Sequence, residues 1–228
     1  MKDLLSRAER FARRRHSGQF RKGAAKEPYT IHLEEVTSLV EKWGGTEHVI
    51  AAAWLHDTIE DCPPTSIDEL KDNFGPSVAS IVSELTDNKS LPKQDRKLLQ
   101  IENAQKKSPE AALVKLADKT SNVGALTKSP PTGWSLQRRL DYISWAIKVV
   151  SKLCKLPKEG LDLFSIRCDQ AELQAYIDLG TERMAQNAAM RIMERKSLRN
   201  GATRLQTDRL LLNLMKGTLG KDKNWAYN

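Results

Sequence analysis

Residues 51–61, AAAWLHDTIED, set His56-Asp57 and Glu60-Asp61 into one apolar stretch. At about 100° per residue, a continuous helix here stacks His56 over Glu60 and Asp57 over Asp61. Ala51, Ala52, Trp54, Leu55 and Ile59 are then left for packing. Three carboxylates and an imidazole on one packed edge are strongly unfavourable without a counter-charge, whereas a divalent cation uses several of them at once. The plain alternative is an exposed acidic helix with a capped histidine.

Two further places can complete a metal sphere. His32 lies in EPYTIHLEEVTSLVEKW, where Pro28 can set a helix entry and Ile31, Val36, Leu39 and Val40 mark a buried face. Asp118 lies in EAALVKLADKTSNVGAL, with Ala112, Leu113, Leu116 and Ala117 pointing inward and Asn122 one turn on. Taken alone, each reads as an ordinary cap or satisfied core polar group. Together, two imidazoles and two carboxylates make a mixed N/O set that suits manganese, iron or zinc and leaves room for water. Cys62, Cys154 and Cys168 lack the paired spacing of a thiolate zinc site.

The order His32, His56-Asp57, Asp118 resembles the H…HD…D pattern of the HD metal-dependent phosphohydrolases. HSGQFRKG, PYTIH, LHDTIED, FGPSV, LTDNKSLPKQDRK, KLADKTSN and TGWSLQRRLDYISWA, in that order, narrow the resemblance. They are similar to the hydrolase domain of the RelA/SpoT alarmone enzymes, and most of all to the stand-alone small alarmone hydrolases, over about residues 1–155.

The resemblance implies one Mn²⁺ held by His32, His56, Asp57 and Asp118, and an acidic pair, Glu60 and Asp61, that positions or deprotonates water, with Glu60 as the principal catalytic residue. It also implies hydrolysis of the 3′-pyrophosphate of (p)ppGpp to GDP or GTP and pyrophosphate. Arg21 would stack on the base, Asn122 would contact ribose or base, and Lys22, Arg138 and Tyr142 would hold phosphates. Arg96-Lys97 and Lys115 are further basic candidates. After Asn122 the family commonly has a large or basic residue and then Thr or Asp, where this chain reads Val123-Gly124-Ala125. Thr30 and Leu33 stand where Ile and Pro are usual. These departures leave the metal set intact and put guanine over adenine in question.

The elements that must position these groups read as helices almost throughout, so the expected fold class is all-α, an HD-domain helical bundle with room for a short β-hairpin near residues 18–30. Apolar residues recur at three- and four-residue steps over 3–16, 32–43, 46–60, 67–72, 76–86, 94–107, 110–126, 135–154 and 169–198. Pro63-Pro64, residues 88–92 and the SPPTG run at 129–133 punctuate them, the last as a loop closing one end of the site. The expected division is a hydrolase domain over 1–155, a helical extension over 156–198 and a basic, apolar tail over 199–228.

With 39% hydrophobic residues in 228 there is enough for a core, and no run approaches a membrane helix. No signal-peptide pattern follows the basic N-terminus, so the expected compartment is the cytoplasm. Residues 1–26 carry nine Lys/Arg against two acids and residues 191–228 nine against three, within a net charge of +8, so the stretch between them is net acidic. Such a middle needs a cation and local basic groups to receive a polyphosphate. Residues 156–228 hold no Gly-rich nucleotide-binding segment and are too few for a synthetase domain.

Two other functions stay open. One is a different HD phosphohydrolase, acting on (p)ppApp, nucleoside monophosphates or NADPH. The other is a non-catalytic nucleotide sensor or RNA-binding protein working through the basic tail, whose apolar face could instead dock on the core or pair two subunits.

Overall fold

The computed structural model describes residues 2–180, 187–190 and 192. Among the described residues up to 180, ten α-helices follow one another: α1 (Lys2–Arg15), α2 (Thr30–Lys42), α3 (Glu47–Leu55), α4 (Thr58–Asp61), α5 (Ile67–Phe74), α6 (Pro76–Leu85), α7 (Lys93–Asn103), α8 (Pro109–Lys128), α9 (Leu136–Val150) and α10 (Lys158–Asp178). The fold is all-α, and no described helix is long and apolar enough to cross a membrane.

The central element is α8. Ser108 caps it, its hydroxyl accepting from the Ala111 amide at 3.2 Å, and Pro109 fills the first position, where an N–H has no helical partner. Ala111, Val114 and Ala117 join one core with Leu33, Val36, Val40, Leu55, Val78 and Val82. Ala112, Leu116 and Val123 join a second with Ile143, Ala146, Val149 and Phe164. A helix covered on both faces takes its polar groups inside: Lys115, Asp118, Lys119, Thr120 and Ser121 are all buried.

Three periodicities are corrected by the structure. The 46–60 pattern is two helices, because the chain breaks at His56-Asp57. There the Thr58 hydroxyl donates to the Leu55 carbonyl at 2.6 Å, and Asp57, at φ −102° and ψ −2°, heads α4. A short side chain competing for a backbone carbonyl is a common cause of such a break. The helix expected over 169–198 starts earlier, at Lys158 just after Pro157, and part of 181–198 lies outside the described residues, as does all of 199–228. Ile31, expected inside, is 40% exposed, and Leu33 takes the buried position.

The hairpin allowed near 18–30 is a loop with isolated bridges rather than strands. Phe20 pairs with Pro28, and Gly23 pairs with Pro131 of the SPPTG run. Tyr29 N–H donates to Gln19 O at 2.9 Å and Arg21 N–H to Glu27 O at 2.8 Å. Thr132 N–H donates to Lys22 O at 3.0 Å, so the two loops are laced together over one end of the bundle.

Leu116 has no exposed surface, and a Cβ added at Gly160 would meet its Cδ2 at 2.8 Å, so α10 already lies hard against it. Leu116→Ala is expected to lower the unfolding free energy by about 2–5 kcal/mol, through lost transfer energy and the cavity left behind. Urea denaturation of the two proteins measures it.

Candidate metal centre and active site

Three helices converge at one buried point. His32 comes from the first turn of α2, His56-Asp57 from the break after α3, and Asp118 from the middle of α8. One ligand atom from each of His32, His56 and Asp118 lies within 4.8 Å of the other two. Asp57 Oδ2 stands 3.1 Å from His56 Nε2 and 3.6 Å from His32 Nε2, and Asp118 Oδ1 is 3.6 Å from His32 Nε2. At the break after α3 Asp57 sits on the imidazoles, while Glu60, in α4, bonds to the Asp87 amide.

Both Nε2 atoms are buried without a hydrogen-bond partner. Each ring is held by its other nitrogen: His56 Nδ1 sits 2.8 Å from the Ala53 carbonyl and His32 Nδ1 2.9 Å from Ser121 Oγ. A carbonyl only accepts, so the His56 proton belongs on Nδ1 and its lone pair on Nε2. Orphaned imidazole nitrogens facing two carboxylates are costly when empty and form the donor set of a divalent cation.

Without a cation the two carboxylates favour positive charge on His56 itself, a second proton on Nε2 that a bound cation would displace. Burial pulls the His56 pKa down, but Asp57 and Asp118 outweigh it and raise it to about 9. At His32 burial wins and the pKa falls, with His56 adding to the fall. Burial pushes Asp118 up, yet Lys119, Lys115 and the two histidines bring it to about 2. Asp57 is likewise held well below the carboxylate range, against burial, by the imidazoles. Both carboxylates are therefore anions ready to bind a cation. Tyr29 adds a support, its hydroxyl donating to Asp57 Oδ2 at 2.5 Å.

Glu60 and Asp61 face the loop between α6 and α7. Glu60 Oε1 accepts from the Asp87 amide at 2.8 Å. Lys89 Nζ donates to Asp61 Oδ1 at 2.8 Å and lies 3.5 Å from Glu60 Oε2. Burial is the main cause of a raised Glu60 pKa, and the charges of Asp57 and Asp87 add to it.

Arg21 Nη2 donates to Asn122 Oδ1 at 3.2 Å, and Asn122 Nδ2 donates to Asp118 Oδ1 at 2.5 Å, tying the 20s loop to the centre. Arg138 lies over the Trp134 ring at 4.7 Å, and Tyr142 packs between Trp134 and Trp145. Lys22 is exposed. Partial burial and then Arg138, Lys22 and Arg96 depress the Lys93 ammonium, so Lys93 lies within electrostatic reach of the other three. Lys115 is buried beside Asp118 at 3.9 Å. Lys119, also buried, lies 3.1 Å from Asp118 Oδ2 and 4.5 Å over Trp145.

Sequence reasoning missed Tyr29, Lys89, Lys93 and Lys119. A signal existed for Lys93: with Arg96 and Lys97 it forms an i, i+3, i+4 basic face on α7, which buries no residue of its own. Tyr29 and Lys89 gave none, because each reaches the site from a loop.

A family profile described as HD domain matches residues 8–143, a span that holds His32, His56, Asp57 and Asp118. The chain belongs to the HD domain family, which implies a divalent metal at this donor set. Among its relatives is the Drosophila melanogaster guanosine-3′,5′-bis(diphosphate) 3′-pyrophosphohydrolase MESH1, 46% identical over 145 residues that cover 63% of this chain and 80% of that one. The Homo sapiens protein of the same name is 43% identical over 152 residues, covering 66% and 84%. A solved structure, described as a metazoan ortholog of SpoT that hydrolyzes ppGpp, matches with a TM-score of 0.70 at 39% identity over 73% of this chain and 94% of that one. A Listeria monocytogenes structure at 23% identity and a TM-score of 0.53 shares the fold alone.

Saturating chelator-treated protein with a divalent ion is expected to raise its melting temperature, with a stabilisation of about 2.7 kcal/mol at a hundred times Kd. In His56→Ala the shift should vanish. Calorimetry with and without the ion checks both.

Proposed function

We propose that the chain is a metal-dependent (p)ppGpp 3′-pyrophosphohydrolase, and that its cation is Mn²⁺. The observation that carries this reading is the pair of orphaned imidazole nitrogens facing Asp57 and Asp118, beside an acidic pair and a set of cations within electrostatic reach of Lys93. His32, His56, Asp57 and Asp118 would hold the ion; when bound, it supplies charge neutralisation at phosphoryl oxygens and a lowered pKa for water.

The residues of the chain then have distinct tasks. Glu60, with Asp61 beside it, orients a water and takes its proton as the water oxygen adds to the phosphorus on the ribose 3′ oxygen. The bond between that phosphorus and the 3′ oxygen breaks, the oxygen acquires a proton, and pyrophosphate leaves. Lys89 holds the two carboxylates apart and aimed, and the Asp87 amide fixes one Glu60 oxygen. Lys22, Arg138, Lys93 and Arg96 receive the phosphates with a local positive field in an otherwise acidic middle. Arg21, anchored by Asn122, offers a planar cation for a purine face. Tyr142 completes the phosphate-holding wall with Arg138 and Trp134. Residues 1–155 form the hydrolase domain on this reading, with α10 as its helical extension among the described residues.

A second reading, in which adenosine alarmones are also substrates, draws on the small residues after Asn122. Gly124 faces Arg167 rather than the opening, so Ala125 is the position left to bear on it. Incubation with Mn²⁺ and separate ppGpp, ppApp and NADPH tests the function: pyrophosphate released from ppGpp is expected, and orthophosphate from NADPH with none from ppGpp would overturn it.

Glu60→Gln should lower kcat at least about a hundredfold while metal and substrate still bind. The pH profile gives the sign. A base works deprotonated, and burial sets the Glu60 pKa above the ordinary 4.5, so activity should fall as pH drops through that raised value. The acid limb is expected to disappear in Glu60→Gln, and steady-state rates across pH check both.

A further inference from the structure

A chain of polar contacts enters the centre from α10. Arg167 Nη1 lies 2.6 Å from Glu35 Oε1 and donates to the Thr120 carbonyl at 3.1 Å. Glu35 Oε2 accepts from Ser121 Oγ at 2.6 Å, and Ser121 Oγ is 2.9 Å from His32 Nδ1. A carboxylate only accepts, so the single Ser121 proton is committed to Glu35. The remaining contact must then be donated by His32 Nδ1–H. That leaves the His32 lone pair on Nε2, the atom facing Asp57 and Asp118.

The two imidazoles thus keep a proton on Nδ1 by different routes. His56 uses a carbonyl three residues back on its own helix. His32 depends on a side chain 135 positions away in sequence, through two intermediaries on α2 and α8.

Gly124 makes the space. A Cβ there would lie 3.0 Å from both Cδ and Nη1 of Arg167, tighter than ordinary packing. The glycine that departs from the family pattern after Asn122 is therefore the place where α8 lets the Arg167 side chain pass to Glu35.

We propose that Arg167, acting through Glu35 and Ser121, is a positioning residue that sets the His32 tautomer and so the affinity of the centre for its cation. This rests on His32 being a ligand, as in the function proposed above. It makes α10, which lies beyond the residues 8–143 matched by the family profile, part of the apparatus that holds the metal. Outer partners of this kind are typically worth about 10–100-fold in metal affinity or activity.

The test uses the full chain, stripped of metal, with two readouts that do not depend on turnover: the Mn²⁺ dissociation constant, and the ¹⁵N shifts of the His32 and His56 imidazoles in the metal-free protein. Wild type should show His32 as the Nδ1–H tautomer. Arg167→Met should raise the Mn²⁺ dissociation constant about 10–100-fold and mix the His32 tautomers while His56 is unmoved. Arg167→Lys, which keeps a cation beside Glu35, should lose less. In an Arg167→Ala background, Gly124→Arg should recover part of the affinity by returning a guanidinium from the opposite helix. Unchanged affinity and tautomer in folded Arg167→Met, or equal losses in the Lys and Met variants, would overturn the proposal. Where Arg167→Met fails to fold, Glu35→Leu, which removes the acceptor for the Ser121 proton, asks the same question, and an unchanged dissociation constant there is equally fatal. Mn²⁺ retained undiminished by His32→Ala would sink the ligand assignment and this inference together. Mn²⁺ lost in His32→Ala but unaffected by the Arg167 and Glu35 variants would sink the inference alone.

Discussion

The burial of two imidazole Nε2 atoms opposite two carboxylates, with neither nitrogen satisfied by a hydrogen bond, is the interaction on which the rest of the structure turns. Such a cluster costs several kcal/mol unless a cation or strong hydrogen bonds satisfy it. Rigid packing on every side maintains it. The Leu33, Val36 and Val40 face of α2, the Ala51–Leu55 face of α3 and the Ala111–Ala117 face of α8 share one core, so the three backbones that carry the four groups cannot move independently.

The acidic pair is separated from that cluster by one local event. A continuous helix through residues 56 and 57 would set all four acidic and imidazole groups along one edge. The break there, held by Thr58 on the Leu55 carbonyl, divides them into a metal-facing pair and a loop-facing pair. Glu60 and Asp61 then answer to Asp87 and Lys89. Two carboxylate environments result, one kept anionic by imidazoles and lysines, the other shifted toward protonation by burial. On the proposed reading, a division of labour between binding a cation and moving a proton would follow from that difference.

The surrounding field has a similar logic. An acidic centre repels a polyphosphate, and on the proposed reading the cations that would offset this come from separate elements: Lys22 from a loop, Lys93 and Arg96 from α7, Arg138 from α9. Partial burial and then Arg138, Lys22 and Arg96 depress the Lys93 ammonium, and phosphates placed among these cations would relieve the repulsion between them. The laced 22–23 and 131–132 loops hold the Lys22 backbone in place.

Much of this was legible in the sequence. Three- and four-residue spacing located the helices because an amphipathic face has to repeat with the turn of the helix, and His32, His56-Asp57 and Asp118 stood out because such groups rarely occupy apolar stretches without a purpose. Where α3 ends was not legible, since the periodicity of 46–60 runs unbroken through a hydroxyl-to-carbonyl bond that only the folded backbone reveals. Nor could spacing reveal which residues orient the ligands. Tyr29 on Asp57, Lys89 on the acidic pair, and Arg167 on Glu35 past Gly124 are contacts between elements far apart in sequence, and no local period encodes them. The sequence by itself determined which atoms can bind a cation and which helices carry them. The tertiary structure decided which nitrogen of each imidazole is free to do so, because a ring tautomer depends on the partner that packing brings to its other side.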